Sequence, residues 1–296
     1  MKTRYKVAAV FSVAALVAGT AVANSALNKP EYIIPSTDAA SIAPLAYAGD
    51  VITGLTVRGI PDGMGAMRNA DGTITLLSSH EVPSYGTVGG FAKAADKGKP
   101  ILGTSITKFT LNAAGNRIIG ASNFIKSWSF YNYNTKSYQE SPVGAAPTTQ
   151  TVGMDSFISR FCSATLVQAG ALAYKEGGTT YGYEGAVYLA GEEDGEGGYG
   201  RGFVFDMDGN AVNFARMGLA SWENLMPNLK PGKNTVVMGN EDGSATDSQL
   251  FMYVGTKTTT GTYADKAGFT NGDLHVLNVP NIANDNAFRA AYGKNN

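Results

Sequence analysis

The chain has 296 residues, a formal net charge of -1, and apolar residues make up 44% of it. This length and apolar content suffice for one large hydrophobic core or two smaller ones. Because the net charge is near zero and no basic stripe occurs, the sequence lacks the electrostatic footprint of nucleic-acid-binding proteins, and we expect no nucleic-acid partner.

The N-terminus predicts export. Three basic residues within the first six precede an apolar run, Val7 to Ala23, which ends on the small residues Ala-Val-Ala. This is the pattern of a signal peptide over residues 1–23, and the run is short for a membrane span. We therefore expect cleavage near Ala23, a periplasmic or secreted protein, and no membrane contact after cleavage.

The single cysteine, Cys162, cannot form a disulfide within the chain. In an oxidising compartment an unpaired thiol is usually protected by burial as a small apolar side chain. Ligation of a metal is the alternative, and it requires carboxylates nearby.

Residues 24–49 are rich in Ala, Ser and Pro and form a predicted lead-in segment, and residues 50–296 form the predicted domain. Strand-like runs with β-branched and aromatic residues recur along this domain. They are residues 73–82, 104–124, 184–193, 201–217, 234–242, 248–258 and 272–279.

Turn chemistry at residues 113–116 and 206–210 predicts two hairpin loops. The stretch 159–174 allows a turn or two of helix. The pattern predicts an all-β, mostly antiparallel fold and leaves a sandwich, a barrel or a propeller open, since no clear repeat of about 40 residues is visible.

Acidic residues gather where several strand-like runs end or begin. Glu192 and Glu193 follow a buried run, Glu81 follows His80, and Glu223 follows Trp222. Each of these acids could be a solvated surface charge, and an Asp before Gly is commonly turn chemistry, as at Asp62 and Asp242. Their recurrence at strand ends nevertheless favours a shared metal site: hard oxygen ligands suit Ca²⁺ or Mg²⁺, whereas a thiolate with carboxylates suits iron better.

Other chemistries have less support. The sequence has no EF-hand loop, nucleophile elbow, phosphate-binding P-loop or H-E-x-x-H motif, and two histidines make a His-rich zinc site improbable. A glycosidase with two carboxylates stays open, because that chemistry requires only a pair of Asp or Glu residues.

An ordered set of segments resembles the secreted bacterial PhoX-type alkaline phosphatases, and more closely an uncharacterised branch of that family. The segments are GIPDGMGAMRNADGTITLLSSHEV, SRFCSAT, AVYLAGEED…GRGFVFD, SWENLMP and TVVMGNEDG…QLFMYVGTKT…NGDLHVL, and they span about residues 50–279. The resemblance implies a β-propeller with a central cluster of Fe³⁺ and Ca²⁺ that hydrolyses small phosphate monoesters.

The same resemblance implies roles for individual residues. Cys162 matches the cysteine ligand of ferric iron, and Glu192 and Glu193 match a Glu-Glu pair that follows a strand and supplies metal-ligand carboxylate. Glu223 stands where the family has a His-Glu pair, and Glu81 follows His80 as in its Asn-His-Glu motif. The predicted metal ligands are Asp62, Glu81, Cys162, Glu192, Glu193, Glu223, Glu241 and Asp242.

The chain also departs from the family pattern. Trp222 replaces the histidine before Glu223, Ser79 replaces the asparagine before His80, and residues 240–242 are Asn-Glu-Asp where the family has paired aspartates. The chain ends at Asn296, whereas such propellers are usually longer, so we expect either a shortened member or a fragment, with incomplete propeller closure. The expected activity is metal-dependent hydrolysis by a monomer, and the alternative is a non-catalytic metal-binding or surface-interaction propeller.

Overall fold

A computed structural model describes residues 33, 36–37, 42–82, 104–133, 135–140, 158–193, 200–230, 232–243 and 248–293. The predicted signal peptide and most of the predicted lead-in segment lie outside these residues. The described chain consists mainly of antiparallel strands, which confirms the all-β prediction.

The first sheet follows a small hairpin of two strands, β1 (Val51–Ile52) and β2 (Leu55–Thr56). It is fully antiparallel, and its strands lie side by side in chain order. They are β3 (Pro61–Arg68), β4 (Ile74–His80), β5 (Ile106–Leu111) and β6 (Ile118–Asn123).

The second sheet has six strands in the order β8-β7-β14-β13-β12-β9, with β7 and β14 parallel and the other pairs antiparallel. Its strands are β7 (Ser127–Asn132), β8 (Ser137–Gln139), β9 (Phe161–Val167), β12 (Val187–Glu192), β13 (Gly202–Asp206) and β14 (Asn210–Asn213). A separate hairpin of β10 (Leu172–Glu176) and β11 (Thr179–Tyr183) lies between β9 and β12 in the chain.

The third sheet is again antiparallel with its strands in chain order: β15 (Trp222–Pro227), β16 (Asn234–Glu241), β17 (Leu250–Thr256) and β18 (Asp273–Val276). The helical segments are a 3-10 turn at Ala215–Met217, α1 (Tyr263–Lys266) and α2 (Asp285–Tyr292). Among the residues described, no helix has both the length and the apolar character to span a membrane.

The edge strands of the three sheets pack together: β3 contacts β9, and β15 contacts β9 and β12. Glycines permit the closest of these approaches, since a Cβ at Gly63 would overlap the backbone of Ser163 and Ala164. Each sheet therefore turns one edge strand, which is β3, β9 or β15, toward a common centre, and its other strands follow outward from that edge, as in propeller blades. In the described ranges these sheets form no closed ring.

Two apolar clusters hold this arrangement. One fills the space around the second sheet with aromatic rings, among them Trp128, which stacks on Phe130 with ring centroids 5.5 Å apart. The other joins the second and third sheets, where Phe214 meets Tyr253 edge to face at 4.7 Å. All six residues of β12 are buried, which explains why its sequence is a continuous apolar run rather than an alternating one.

The predicted hairpins at residues 113–116 and 206–210 are confirmed as the β5–β6 and β13–β14 connections. The helix allowed for residues 159–174 is wrong, because this stretch forms β9, a turn and the start of β10. The apolar residues of β9 are buried by pairing with β12 on one side and by packing against β3 on the other, so tertiary contacts decide its conformation.

Candidate metal centre

Asp62 is carried to the centre by an irregularity in β3. The pairing of β3 with β4 shifts register between Pro61 and Met64, so Asp62 and Gly63 lie in a bulge. Bulges reorient the side chains of the strand that contains them. Because Gly63 lets β3 approach β9 closely, the Asp62 carboxylate reaches the thiol of Cys162, with an Oδ2–Sγ distance of 3.2 Å.

Cys162 lies near the start of β9 and is buried, with 8% of its surface exposed. Its Sγ also lies 3.2 Å from Glu223 Oε2, on β15 of the third sheet. The next residue, Ser163, ties the two strands together, because its hydroxyl donates to the Glu223 carbonyl and approaches Asn224 Oδ1 at 2.7 Å. The Ser163 side chain thus fixes β9 against β15 beside the thiol and the Glu223 carboxylate.

Glu193 follows β12 directly and completes the group. Ligand atoms of Cys162, Glu193 and Glu223 all lie within 4.8 Å of one another. Asp62 contacts the same sulfur, so all three sheets contribute to this cluster. We call Asp62, Cys162, Glu193 and Glu223 the central group.

A second layer surrounds the central group. Arg160 Nη2 lies 2.8 Å from Glu81 Oε1 and also contacts Glu193 Oε2. Asp242, which follows β16, hydrogen-bonds the Glu193 carboxyl group, and its own N–H donates to the Ser221 carbonyl. The Arg160 and Glu81 side chains are 34% and 28% exposed, so this layer forms the solvent side of the centre.

The cluster is electrostatically unbalanced. Five carboxyl groups, those of Asp62, Glu81, Glu193, Glu223 and Asp242, adjoin one guanidinium. Burial raises the pKa of the Cys162 thiol, and the neighbouring carboxylates raise it further. Burial and the hydrogen bond with Asp242 likewise raise the pKa of Glu193, against the opposing charge of Arg160. Without a cation, this arrangement holds together only if some of its acids keep their protons.

The donor geometry fits a bound metal ion. A thiolate and a carboxylate bound to one first-row metal at about 2.3 and 2.1 Å, with an angle of about 90–110°, lie roughly 3.1–3.6 Å apart. The two sulfur–oxygen distances of 3.2 Å fall in this range. One thiol proton cannot serve both carboxylates, whereas one cation can serve both. The residues present therefore fit a metal with mixed sulfur and oxygen ligands, for which iron is better suited than Ca²⁺.

Glu192 is not brought to this group. Its Oε2 accepts from the backbone N–H and Nε of Arg201 at 2.9 and 2.7 Å, and its Oε1 accepts from Arg201 Nη2 and the Ser159 N–H. Both side chains of the ion pair are fully buried, and the guanidinium lies over the Phe130 and Phe203 rings. These contacts occupy both oxygens of the Glu192 carboxylate, so Glu192 stabilises the fold and is not positioned to serve as the predicted metal ligand.

The remaining predicted residues lie at the edges of the site. Glu241 pairs with Trp222 across β15 and β16, and it does not join the described ligand atoms that converge on Cys162. His80 is fully buried, with Nε2 2.8 Å from Thr107 Oγ1 and Nδ1 3.2 Å from the Gly59 carbonyl. Burial lowers its pKa to about 4, so it is a neutral structural histidine.

Sequence reasoning missed two contributors, Arg160 and Ser163. Both lie within two residues of Cys162 in the segment SRFCSAT, and β-strand alternation offered a signal for Arg160. If the side chain of Cys162 faces the centre, Arg160 two residues earlier shares its face.

Comparisons of the chain with protein-family models, with curated proteins and with solved structures gave no match in any of the three. The family relationship suggested by the motifs therefore stays a prediction.

Proposed function

We propose that the chain is a metal-dependent phosphomonoesterase of the kind that the PhoX-type resemblance implies, with the central group as its metal centre. One observation carries the proposal. Three predicted carboxylate ligands, which lie 31 to 100 positions from Cys162 in sequence, converge around its buried thiol, and the four residues come from three different sheets. A solvated acidic turn would not require such convergence.

The chemistry of the donors suggests which metals would be held. Cys162 with Asp62, Glu193 and Glu223 would hold Fe³⁺, and the all-oxygen carboxylates of Glu81 and Asp242 would serve Ca²⁺. Metal ions bound there would neutralise the charge on phosphate oxygens and on the transferring phosphoryl group.

The chain's own residues suggest how a phosphate ester would be bound. Arg160 is the partly exposed cation of the second layer, and a planar guanidinium matches two oxygens of a phosphate group. Glu81 and Glu193 both contact Nη2 of this guanidinium and hold that end of it in place. We propose that Arg160 orients the phosphate at the solvent side, while the buried thiol side keeps water away from the ligands.

One observation favours the non-catalytic alternative, a metal-binding propeller without hydrolytic activity. Trp222, which replaces the histidine expected before Glu223, is 1% exposed and packs against Phe251 in the core. This position therefore offers no imidazole to the site, and the chemistry that such a histidine would supply is missing.

Elemental analysis and a hydrolysis assay together test both candidates. Purified protein loaded with Fe³⁺ and Ca²⁺ should retain metal after gel filtration and hydrolyse p-nitrophenyl phosphate. Glu223→Gln should lose both properties, whereas Glu176→Gln, at an exposed position of β10, should keep both. Retained metal without hydrolysis would favour the non-catalytic alternative, and a wild-type protein that retains no metal would reject both.

A further inference from the structure

A row of sulfur-containing side chains crosses the third sheet. The strand register pairs Met226 with Met238, Met238 with Met252, and Met252 with His275. Residues directly opposite each other on antiparallel strands share a face of the sheet. The third sheet therefore presents three methionines and one histidine in a single line, one from each strand.

This line is on the accessible face of the sheet. Met226 and Met252 are 46% and 38% exposed, Met238 is half-buried, and His275 is exposed. The residues next to Met238 and Met252 in sequence, Val237 and Tyr253, are fully buried on the opposite face. The thioethers of the row are thus not part of the core described above.

Composition makes the row unusual. The chain has nine methionines and two histidines, and the row contains three of these methionines and one of these histidines. The hydrophobic core does not require these four residues to be aligned, because the core is formed by the residues on the opposite face of the same strands, such as Val237 and Tyr253. A methionine-rich apolar face that only packs against something is the competing explanation.

The geometry points to a site for one monovalent copper ion, held by Met238, Met252 and His275. Thioether sulfur is a soft ligand that selects Cu(I), and imidazole also binds copper. Opposed residues on adjacent strands have Cβ atoms about 4.5–5.5 Å apart, and the three rotatable bonds of methionine let neighbouring sulfurs converge on one ion. Met226 lies one strand farther from His275 and extends the row beside the site.

This site is separate from the central group. Glu223 and Met226 are three residues apart on β15, which corresponds to about 10 Å along a strand. The central group offers carboxylate oxygens and a thiol, whereas the row offers thioethers and an imidazole. The copper proposal does not depend on the proposed phosphatase function and can fail or succeed independently of it.

The test is an anaerobic titration with Cu(I) against a chromophoric Cu(I) chelator. We expect one Cu(I) per chain that resists the chelator, and at least about tenfold weaker binding in Met252→Leu and in His275→Asn, since even loss of an outer partner of a metal ligand costs about 10–100-fold. The matched control is Met64→Leu, which removes a methionine that is 50% exposed on the first sheet and should leave binding unchanged.

The thiol of Cys162 is the other soft ligand, so the series is repeated in a Cys162→Ser background. Binding that survives Cys162→Ser and falls with Met252→Leu supports the proposal. Binding that is lost with Cys162→Ser alone, or that is indifferent to Met252→Leu and His275→Asn, overturns it, as does the absence of Cu(I) binding. If a variant unfolds by circular dichroism, the methyl NMR signals of Met238 and Met252 in the wild type decide: a shift on addition of Ag⁺ supports the site, and no shift contradicts it.

Discussion

Glu192 and Glu193 are adjacent acids with different proposed roles, one in a buried ion pair and the other in the metal centre. Replacing each of them by glutamine distinguishes the two roles. Glu192 accepts four hydrogen bonds, three from Arg201 and one from the Ser159 N–H. In Glu192→Gln the side-chain amide nitrogen must face two of these donors, and the fully buried guanidinium loses its counter-charge. Breaking a buried ion pair in this way costs about 3–5 kcal/mol.

Glu193→Gln has a different expected result. Glu193 lies among other carboxylates, and its partner Arg160 is 34% exposed and keeps Glu81 as a second carboxylate partner, so the guanidinium is not left unpaired when Glu193 becomes Gln. Loss of its charge also relieves repulsion from Asp242 and Glu81. We therefore expect Glu193→Gln to keep the stability of the metal-free protein within about 1 kcal/mol of wild type, and to lose bound metal.

The assay is urea unfolding of metal-free protein followed by circular dichroism, with extrapolation to water. Metal content is then measured on the folded fraction of each variant. Two results together would refute the roles assigned to these residues. They are a Glu192→Gln protein that is as stable as wild type but lacks metal, and a Glu193→Gln protein that keeps its metal. As a further check, Glu192→Gln combined with Arg201→Met should cost less than the two single changes added together, because removing both partners leaves no uncompensated buried charge.

Three further predictions concern the ligand, the close approach of the sheets and pH. Cys162→Ser should abolish the visible thiolate-to-iron absorption of the iron-loaded protein, and a colourless wild type with stoichiometric Ca²⁺ would contradict the role of the thiol. Gly63→Ala should destabilise the fold by about 1–3 kcal/mol, because the added Cβ overlaps β9. The control is Gly120→Ala, whose Cβ would meet no atom closer than 3.8 Å and which should change the free energy of unfolding by less than about 0.5 kcal/mol. Equal effects of the two substitutions in urea titrations would refute this prediction. Burial lowers the pKa of His80 from 6.5 to about 4. Between pH 6.5 and about pH 4 the unfolded chain therefore binds a proton at His80 that the folded chain does not bind. The free energy of unfolding should consequently fall as pH falls through this range. His80→Gln should reduce this slope of unfolding free energy against pH, and an unchanged slope would contradict the prediction.

Local sequence patterns predicted about half of the strands, since nine of the eighteen described strands lie within the predicted runs. β5 and β6 are short runs that contain β-branched residues and are joined by a turn that contains Gly115, whose φ of 73° suits glycine. β12 was recognisable as a buried strand because its apolar run is short and is followed by charged residues. The hairpins at residues 113–116 and 206–210 followed from the same local rules.

Long-range pairing could not be predicted in this way. The second sheet adds β7 in parallel beside β14, although the two strands are about 80 residues apart in sequence. No local pattern distinguishes this pairing from others, because it depends on which apolar faces meet in the folded chain. β9 was open to a helical interpretation for the same reason, and its pairing with β12 decided the conformation.

The sequence was more informative about which residue types form the candidate site than about where the fold places them. Cys162 and Glu223 were chosen from their acidic or thiol character, and the fold brings them within 3.2 Å. The pair Glu192 and Glu193 shows the limit of this reasoning. Consecutive strand residues point to opposite faces, so only one of the two could enter the centre, and its identity depended on the burial of Arg201.

The most direct test of the account is an anomalous diffraction measurement on crystals of the protein loaded with Fe³⁺ and Ca²⁺. We predict an iron peak within about 2.3 Å of Cys162 Sγ, with carboxylate oxygens of Asp62, Glu193 and Glu223 around the same peak. A map without an anomalous peak there, in which the thiol only hydrogen-bonds to Asp62 or Glu223, would contradict the assignment of this cluster as a metal centre.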